Sequence, residues 1–225
     1  MQIDGIIFDM DGTLNRSQKY YDVYQLTYPK VLSIILNKSE KEVITLLNAG
    51  KRSIKHGFTK LIQHIGVDSS LFFARMAEAM PINELIEKDE RLRTMMRDLK
   101  GANLSLALHS NTGRSLVEGI ITALGIGEGV FDVIVTSDES GLKPDPEPYL
   151  YTLSKLGLAP NRSIYVGDRI EMEIKTAKHL GMTTILLASR VITSEEAGAD
   201  LASYEIDNLY AIPEMVSNIR NNSVS

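Results

Sequence analysis

The 225-residue chain contains no cysteine. Disulfides, thiolate metal sites and cysteine nucleophiles are therefore excluded at the outset. Histidine is scarce: His56, His64, His109 and His179 show none of the close pairing that a zinc site uses. No apolar run approaches the roughly 20 residues that a bilayer-spanning helix needs. The first residues, Met-Gln-Ile-Asp-Gly, carry neither a basic region nor a cleavable apolar stretch. Excess positive charge is also missing. The formal net charge is −5, which argues against a nucleic-acid surface. These absences leave the expectation of a cytoplasmic protein without a membrane or nucleic-acid partner. Internal repeats and low-complexity linkers are lacking too, so the length suits one core with room for a sizeable insertion.

What is present divides into two patterns. Ile3 to Phe8 is a short apolar run closed by Asp9 and Gly12, which reads as a strand buried on both faces. From Tyr20 to about Met80 the period becomes helical. Ser39 followed by Glu42 forms a capping box ahead of Val43, Ile44, Leu46 and Leu47, and Gly57 and Gly66 mark breaks. After that, strands and helices alternate. Strands are predicted at Leu104–His109, Phe131–Val135, Ser163–Val166 and Thr183–Leu187, with a weaker one near Tyr204–Ile206. Helices are predicted at Arg91–Lys100, Leu116–Leu124, Tyr149–Leu156, Ile174–Leu180 and from about Ile212. Gly101, Gly125, Gly157 and Gly181 fall just past helices, where a left-handed residue closes the end. The polar tail from Asn218 reads as frayed. The fold expected is α/β: a Rossmann-like parallel sheet covered by helices on both faces, with an all-helical insertion. Its active site would lie beyond the C-terminal strand ends.

Four short motifs sit at those ends: Asp9-Met10-Asp11-Gly12-Thr13-Leu14, Ser110-Asn111-Thr112, Gly141-Leu142-Lys143-Pro144, and Gly167-Asp168 with Glu173 five residues on. Asp9 and Asp11, two apart, leave a strand end on the same side and repel unless a cation screens them. With a metal present Asp9 stays ionised as a nucleophile, and an Asp11 turned away from it can hold a proton. Gly12 permits a tight turn of N–H groups toward an anion. Ser110 offers a hydroxyl to a phosphate oxygen, and the proline-stiffened loop can aim Lys143 at a phosphate and a carboxylate. Asp168 suits magnesium, which takes oxygen ligands. The set fits phosphoryl transfer through a carboxylate nucleophile with a divalent metal. Each motif alone also has a structural reading. These are a polar turn after a strand, an N-cap at Ser110 or Asp168, a surface lysine at Lys143, and acidic residues favoured by the helix dipole at Glu171 and Glu173. Lys51, Arg52, Lys55 and His56 form a basic cluster that, on a helix, would either meet an anionic substrate or form a solvated face.

In order and spacing, the four motifs resemble those of the haloacid dehalogenase-like superfamily, and within it the phosphatases with a helical cap, such as phosphoglycolate phosphatase. The resemblance spans the core from end to end. It implies a core of residues 1–14 and 86–225 and a cap of residues 15–85. It implies Asp9 as nucleophile and Asp11 as the acid that protonates the leaving oxygen and then activates water. Thr13 would shape the loop, and Lys143 would stabilise charge and orient Asp9. Phosphate would be bound by Ser110, Asn111, Lys143, Met10 and Asp11. Magnesium would be held by Asp9, Asp168 and the Asp11 carbonyl, with Glu173 behind them where the family often has Asp. Arg169 replaces a common serine and has no assigned role.

The expected function is a magnesium-dependent phosphatase that acts on a small phosphorylated metabolite (phosphoglycolate-like, a sugar phosphate or a nucleotide) through an aspartyl-phosphate. A monomer or homodimer is expected. A phosphosugar mutase and a phosphonate hydrolase share the core and stay open as alternatives. Asp11 argues against a dehalogenase. A non-catalytic phosphate-binding protein would have no evident need for both Asp9 and Asp11.

Overall fold

Gly5–Phe8 form β1, buried along its whole length because both faces of the strand are covered. In this computed structural model, which describes residues 2–54, 57–188 and 202–221, β1 lies near the centre of a six-stranded sheet. The other strands are β2 (Ser105–His109), β3 (Val133–Val135), β4 (Ser163–Gly167), β5 (Thr183–Leu187) and β6 (Tyr204–Ile206), in the order β3-β2-β1-β4-β5-β6. Every neighbouring pair is parallel. Phe8 pairs with Leu108 on one side and Val166 on the other, so the residues that follow these three strands are level.

The pleat sends successive side chains to opposite faces, and two apolar layers result. Ile6, Phe8, Leu106, Leu108, Ile164 and Val166 pack with α6 (Glu90–Gly101), α7 (Arg114–Leu124) and α10 (Ile212–Asn221). Ile7, Ala107 and Tyr165 pack with α8 (Pro146–Leu156) and α9 (Lys175–His179). Helix α6 buries Leu92, Met95, Met96 and Leu99, one stripe at helical spacing, and Asp89 caps it by accepting from the Leu92 N–H at 2.8 Å. Because β2 and β3 lie on one side of β1 while β4 to β6 lie on the other, the winding reverses at β1. The crevice beyond its end is where such sheets hold ligands.

Between β1 and α6 run α1 (Gln18–Leu36), α2 (Glu40–Gly50), α3 (Phe58–His64), α4 (Ser69–Ala79) and the single turn α5 (Ile82–Leu85). The Ser39–Glu42 capping box is formed in both directions, and Gly57 and Gly66 both have positive φ. The helical layer rests on the sheet's loops: Thr59 donates to the Asn111 carbonyl at 2.7 Å, Ser70 to Asp138 at 2.7 Å, and Lys60 pairs with Asp145 at 3.3 Å. No helix among the described residues is long and apolar enough to cross a membrane.

Three local expectations need correction. Gly101 remains inside α6, and Asn103 (φ 56°) takes the left-handed position two residues on. The helix expected at Ile174–Leu180 is a π-turn at Ile170–Ile174 running into the short α9. Helix α2 stops at Gly50, whose carbonyl accepts the N–H groups of Ser53 and Ile54, so the helical spacing assumed for the basic cluster does not continue past Lys51. Lys55 and His56 lie outside the described residues, as does the tail beyond Asn221, to which α10 extends.

Candidate active site

The sheet brings Asp9, Ser110 and Asp168 together at the ends of β1, β2 and β4, and the loop after β3 carries Lys143 in from the side. Lys143 is only 3% exposed, which rules out the surface-lysine reading. Its Nζ donates a very short hydrogen bond to Asp9 Oδ1 and longer ones to the His109 carbonyl (3.2 Å), the Tyr165 hydroxyl (3.3 Å) and Glu173 Oε1 (3.3 Å). The Asn111 side-chain amide grips the lysine's backbone at two points: Oδ1 accepts its N–H at 2.8 Å, and Nδ2 donates to its carbonyl at 3.0 Å. That clamp fixes where the ammonium emerges. Beneath it, burial and the nearby ammonium hold His109 well below the usual histidine range, in the neutral form. Its Nδ1 lies 3.4 Å from the Tyr165 hydroxyl.

Around the ammonium stand three buried carboxylates, Asp9, Asp168 and Glu173, whose oxygens approach within 4.8 Å of one another. One lysine cannot neutralise all three. Burial, then Glu173 and Asp9, push the Asp168 carboxyl up to about 9. Burial and Asp9 raise Glu173 to about 7, against the pull of Lys143. Burial pushes the Lys143 ammonium down, but Asp9 and Glu173 outweigh it and hold it well above the usual lysine range.

The hydrogen-bond accounting points the same way. Asp9 Oδ2 and both Asp168 oxygens are buried with no partner among the described residues. A buried polar atom without a partner is costly. Asp168 is thus not a helix cap: its side chain accepts nothing from the turn that follows. An oxygen-only set of converging acidic groups fits a hard divalent cation.

Local backbone makes the cluster possible. Gly12 has φ +89°, and a Cβ there would lie 2.6 Å from Asp168 Cγ. A Cβ at Gly167 would lie 3.1 Å from Glu173 Cδ. In that space Glu173 folds back so that Oε2 accepts the N–H groups of Asp168 (3.0 Å) and Arg169 (3.1 Å). The π-turn aims Glu173 inward, while Glu171 pairs with Lys175 at 3.0 Å in a more exposed setting.

Asp11 points elsewhere. Its Oδ2 accepts from the Thr112 hydroxyl at 2.7 Å, and its Oδ1 lies 3.5 Å from the Tyr21 hydroxyl. Burial and then Asp9 raise its carboxyl to about 6, opposed by the Thr112 bond and Lys143. A carboxyl near 6 can both give and take a proton close to neutral pH. Ser110 does not cap α7, whose N-cap is Gly113; its Oγ accepts the Thr112 N–H at 3.1 Å.

A family model for haloacid dehalogenase-like hydrolases matches residues 6–187. The chain belongs to the haloacid dehalogenase-like hydrolases. It is 28% identical to a glyceraldehyde 3-phosphate phosphatase of Methanocaldococcus jannaschii, over 97% of this chain and 99% of that protein. It is 26% identical to a phosphoglycolate phosphatase of Salmonella typhi, over 81% of this chain and 80% of the relative. The crystal structure of a phosphatase from Thermococcus onnurineus superposes with a TM-score of 0.65 at 21% identity, covering 95% of this chain and 98% of that one, and shares the fold.

In this hydrolase Asp9, Asp11 and Glu173 line a cavity of about 530 Å3 roofed by the helical layer. Tyr20, Tyr21, Tyr24 and Tyr28 of α1 line it, with Phe58, Lys51 and, on the core side, Arg169. Arg52 is exposed and does not line it. Sequence reasoning assigned no role to Tyr21 or Thr112. Thr112 lay inside a motif already singled out. Tyr21 stands in a tyrosine-rich helix with no local signal for which hydroxyl meets the site.

Proposed function

We propose that this hydrolase is a phosphatase of small phosphorylated metabolites that works with magnesium through an aspartyl-phosphate. The observation that carries the reading is the pairing of buried oxygens on Asp9 and Asp168, without a partner among the described residues, with a buried lysine bound to Asp9. The relatives named as phosphatases support it.

Asp9, Asp168 and the Asp11 carbonyl would hold the metal, with Glu173 behind them. Bound there, magnesium would neutralise the carboxylates and the charge on the transferring group. Asp9 attacks phosphorus, the bond to the leaving oxygen breaks, and Asp11 gives that oxygen its proton. Water then attacks the phosphorus of the aspartyl-phosphate, Asp11 takes a proton from the water, and inorganic phosphate departs from a regenerated Asp9. Lys143, bound to Asp9 Oδ1, orients that carboxylate and faces the charge that develops on the equatorial oxygens. Ser110 and the N–H groups of Met10 and Asp11 bind the phosphoryl oxygens, while the Gly12 N–H is taken by the Tyr21 hydroxyl and the Asn15 carbonyl. Residues 15–85 act as the cap that excludes water, on a core of residues 1–14 and 86–225.

The test is phosphate release from a panel of phosphorylated metabolites with magnesium, for the wild type and Asp9→Asn. Turnover that disappears in the variant supports the reading. Turnover that survives it, or survives chelation of the metal, overturns it.

A further inference from the structure

The Tyr21 hydroxyl sits in a polar triangle of the nucleophile loop. It accepts the Gly12 N–H at 2.8 Å, donates to the Asn15 carbonyl at 2.9 Å and lies 3.5 Å from Asp11 Oδ1. On the other side of the same carboxyl, Thr112 donates to Oδ2 at 2.7 Å. Both oxygens of Asp11 are thereby flanked by hydroxyls, one from the loop after β2 and one from α1. Packing alone does not require the tyrosine oxygen. The Tyr21 ring already meets the buried Tyr20 ring edge-on at 5.4 Å, and a phenylalanine would fill that space. Burying a hydroxyl beside a carboxyl is favourable only when its hydrogen bonds replace those lost to water, and here they tie down the loop that carries Asp11.

The position of that hydroxyl is set by how α1 begins. Ser17 caps the helix by accepting the Tyr20 N–H at 3.2 Å, donates its own N–H to Asn15 Oδ1 at 3.2 Å, and donates its hydroxyl to the Leu85 carbonyl at 2.6 Å. The start of the helical layer and its end are thus joined one turn from Tyr21.

We infer that Tyr21, together with Thr112, is a positioning residue for Asp11, so that proton delivery to the leaving oxygen depends on the seating of α1. The inference rests on the reading of Asp11 as the acid. Among the described residues the Tyr21 hydroxyl bonds to neither Asp9 nor Asp168; it acts through the Asp11 side chain and its loop.

Leaving groups that do and do not need a proton separate this role from a structural one. With enzyme in excess, the release of p-nitrophenol from p-nitrophenyl phosphate and of the alcohol from an alkyl phosphate each report the first step alone. The alkoxide must be protonated as it leaves, whereas nitrophenolate is stable without a proton. Tyr21→Phe should slow the alkyl reaction at least about tenfold more than the nitrophenyl one, a fraction of the ~10²–10⁴ that a general acid supplies, with the KM for the alkyl phosphate little changed. Thr112→Val should show the same skew and Thr112→Ser should restore the ratio, a second route should Tyr21→Phe fold poorly. Equal slowing of both reactions would mean a structural role, and no slowing would mean no role; either overturns the proposal. Asp11→Asn isolates the underlying reading. If it leaves the alkyl reaction intact, Asp11 is not the acid. If it abolishes that reaction while Tyr21→Phe and Thr112→Val leave the ratio unmoved, the acid stands and the positioning role falls.

Discussion

Adding one methyl group to Gly12 should disable the site while leaving the fold standing. The residue has φ +89°, and the new Cβ would lie 2.6 Å from Asp168 Cγ. A carbon pair in ordinary contact is about 3.5–4.0 Å apart, so the Asp168 carboxylate must retreat by roughly 1 Å, or the nucleophile loop must lift by as much. A displacement of that size at a reacting centre costs on the order of 10²-fold in rate, which is about 2.7 kcal/mol of transition-state stabilisation. The left-handed backbone adds about 1–2 kcal/mol of strain to the folded state. In a chain of this length that lowers Tm by roughly 2–8 °C. Gly12→Ala should therefore melt cooperatively a few degrees early and show kcat/KM for phosphate release reduced about 100-fold or more. Phosphate release and a thermal melt on the same preparation read both numbers. A variant that turns over at near the wild-type rate would refute the argument that the Gly12–Asp168 approach sets the site. One that fails to melt cooperatively would show that the strain reaches well beyond it.

Magnesium at about 100 times its Kd should stabilise the wild type by about 2.7 kcal/mol, visible as a rise in Tm, and Asp168→Asn should lose most of that rise; an equal rise in both would remove Asp168 from the metal site. Asp132 predicts an acid limb. Burial raises its carboxyl, but hydrogen bonds from Lys100 (2.7 Å) and the Leu106 N–H (2.8 Å) outweigh this and leave it below its ordinary value. A lowered carboxyl stabilises the fold above its unfolded pKa and loses that contribution as pH falls through the folded value. The Tm gap between wild type and Asp132→Asn should thus be steady near neutrality and shrink below about pH 4; a gap that grows on acidification contradicts the assignment. Ile120, fully buried on α7, should cost about 2–5 kcal/mol on truncation to Ala, read by denaturant unfolding; a loss under 1 kcal/mol would mean that the layer between α7 and the sheet is not close-packed.

Much of the architecture is legible along the chain because its causes are local. Apolar runs as short as Gly5–Phe8 have to be strands covered on both sides, and they are. Ser39 and Glu42 form their capping box within a single turn. Gly125, Gly157 and Gly181 take left-handed conformations just past their helices. At one of the misreadings a tertiary contact outweighed a local rule. Glu173 is pulled inward to receive two N–H groups and meet Lys143, and the chain forms a π-turn where a regular helix was expected. Asn103 replaces Gly101 at the left-handed position because α6 continues one turn's fraction further before β2 begins. In the site, the candidate residues could be located because each follows a strand, but their partners could not.

By itself the sequence determined the alternation of strands and helices, hence a parallel sheet. It also determined that two aspartates, a serine, a lysine and a second acidic pair lie at one edge of that sheet. Those features follow from backbone preferences and side-chain periodicity within a few residues of each position. Only the tertiary structure decided how the groups address one another. It buried Lys143 among three carboxylates and left the Asp168 carboxylate oxygens with no hydrogen-bond partner among the described residues. It set Asn111 to gripping the lysine's backbone. It also turned Asp11 toward Thr112, a residue 101 positions away, and toward a tyrosine hydroxyl from α1. Hydrogen bonds act over about 3 Å, so they become definite only when distant elements have packed and brought their side chains within that reach.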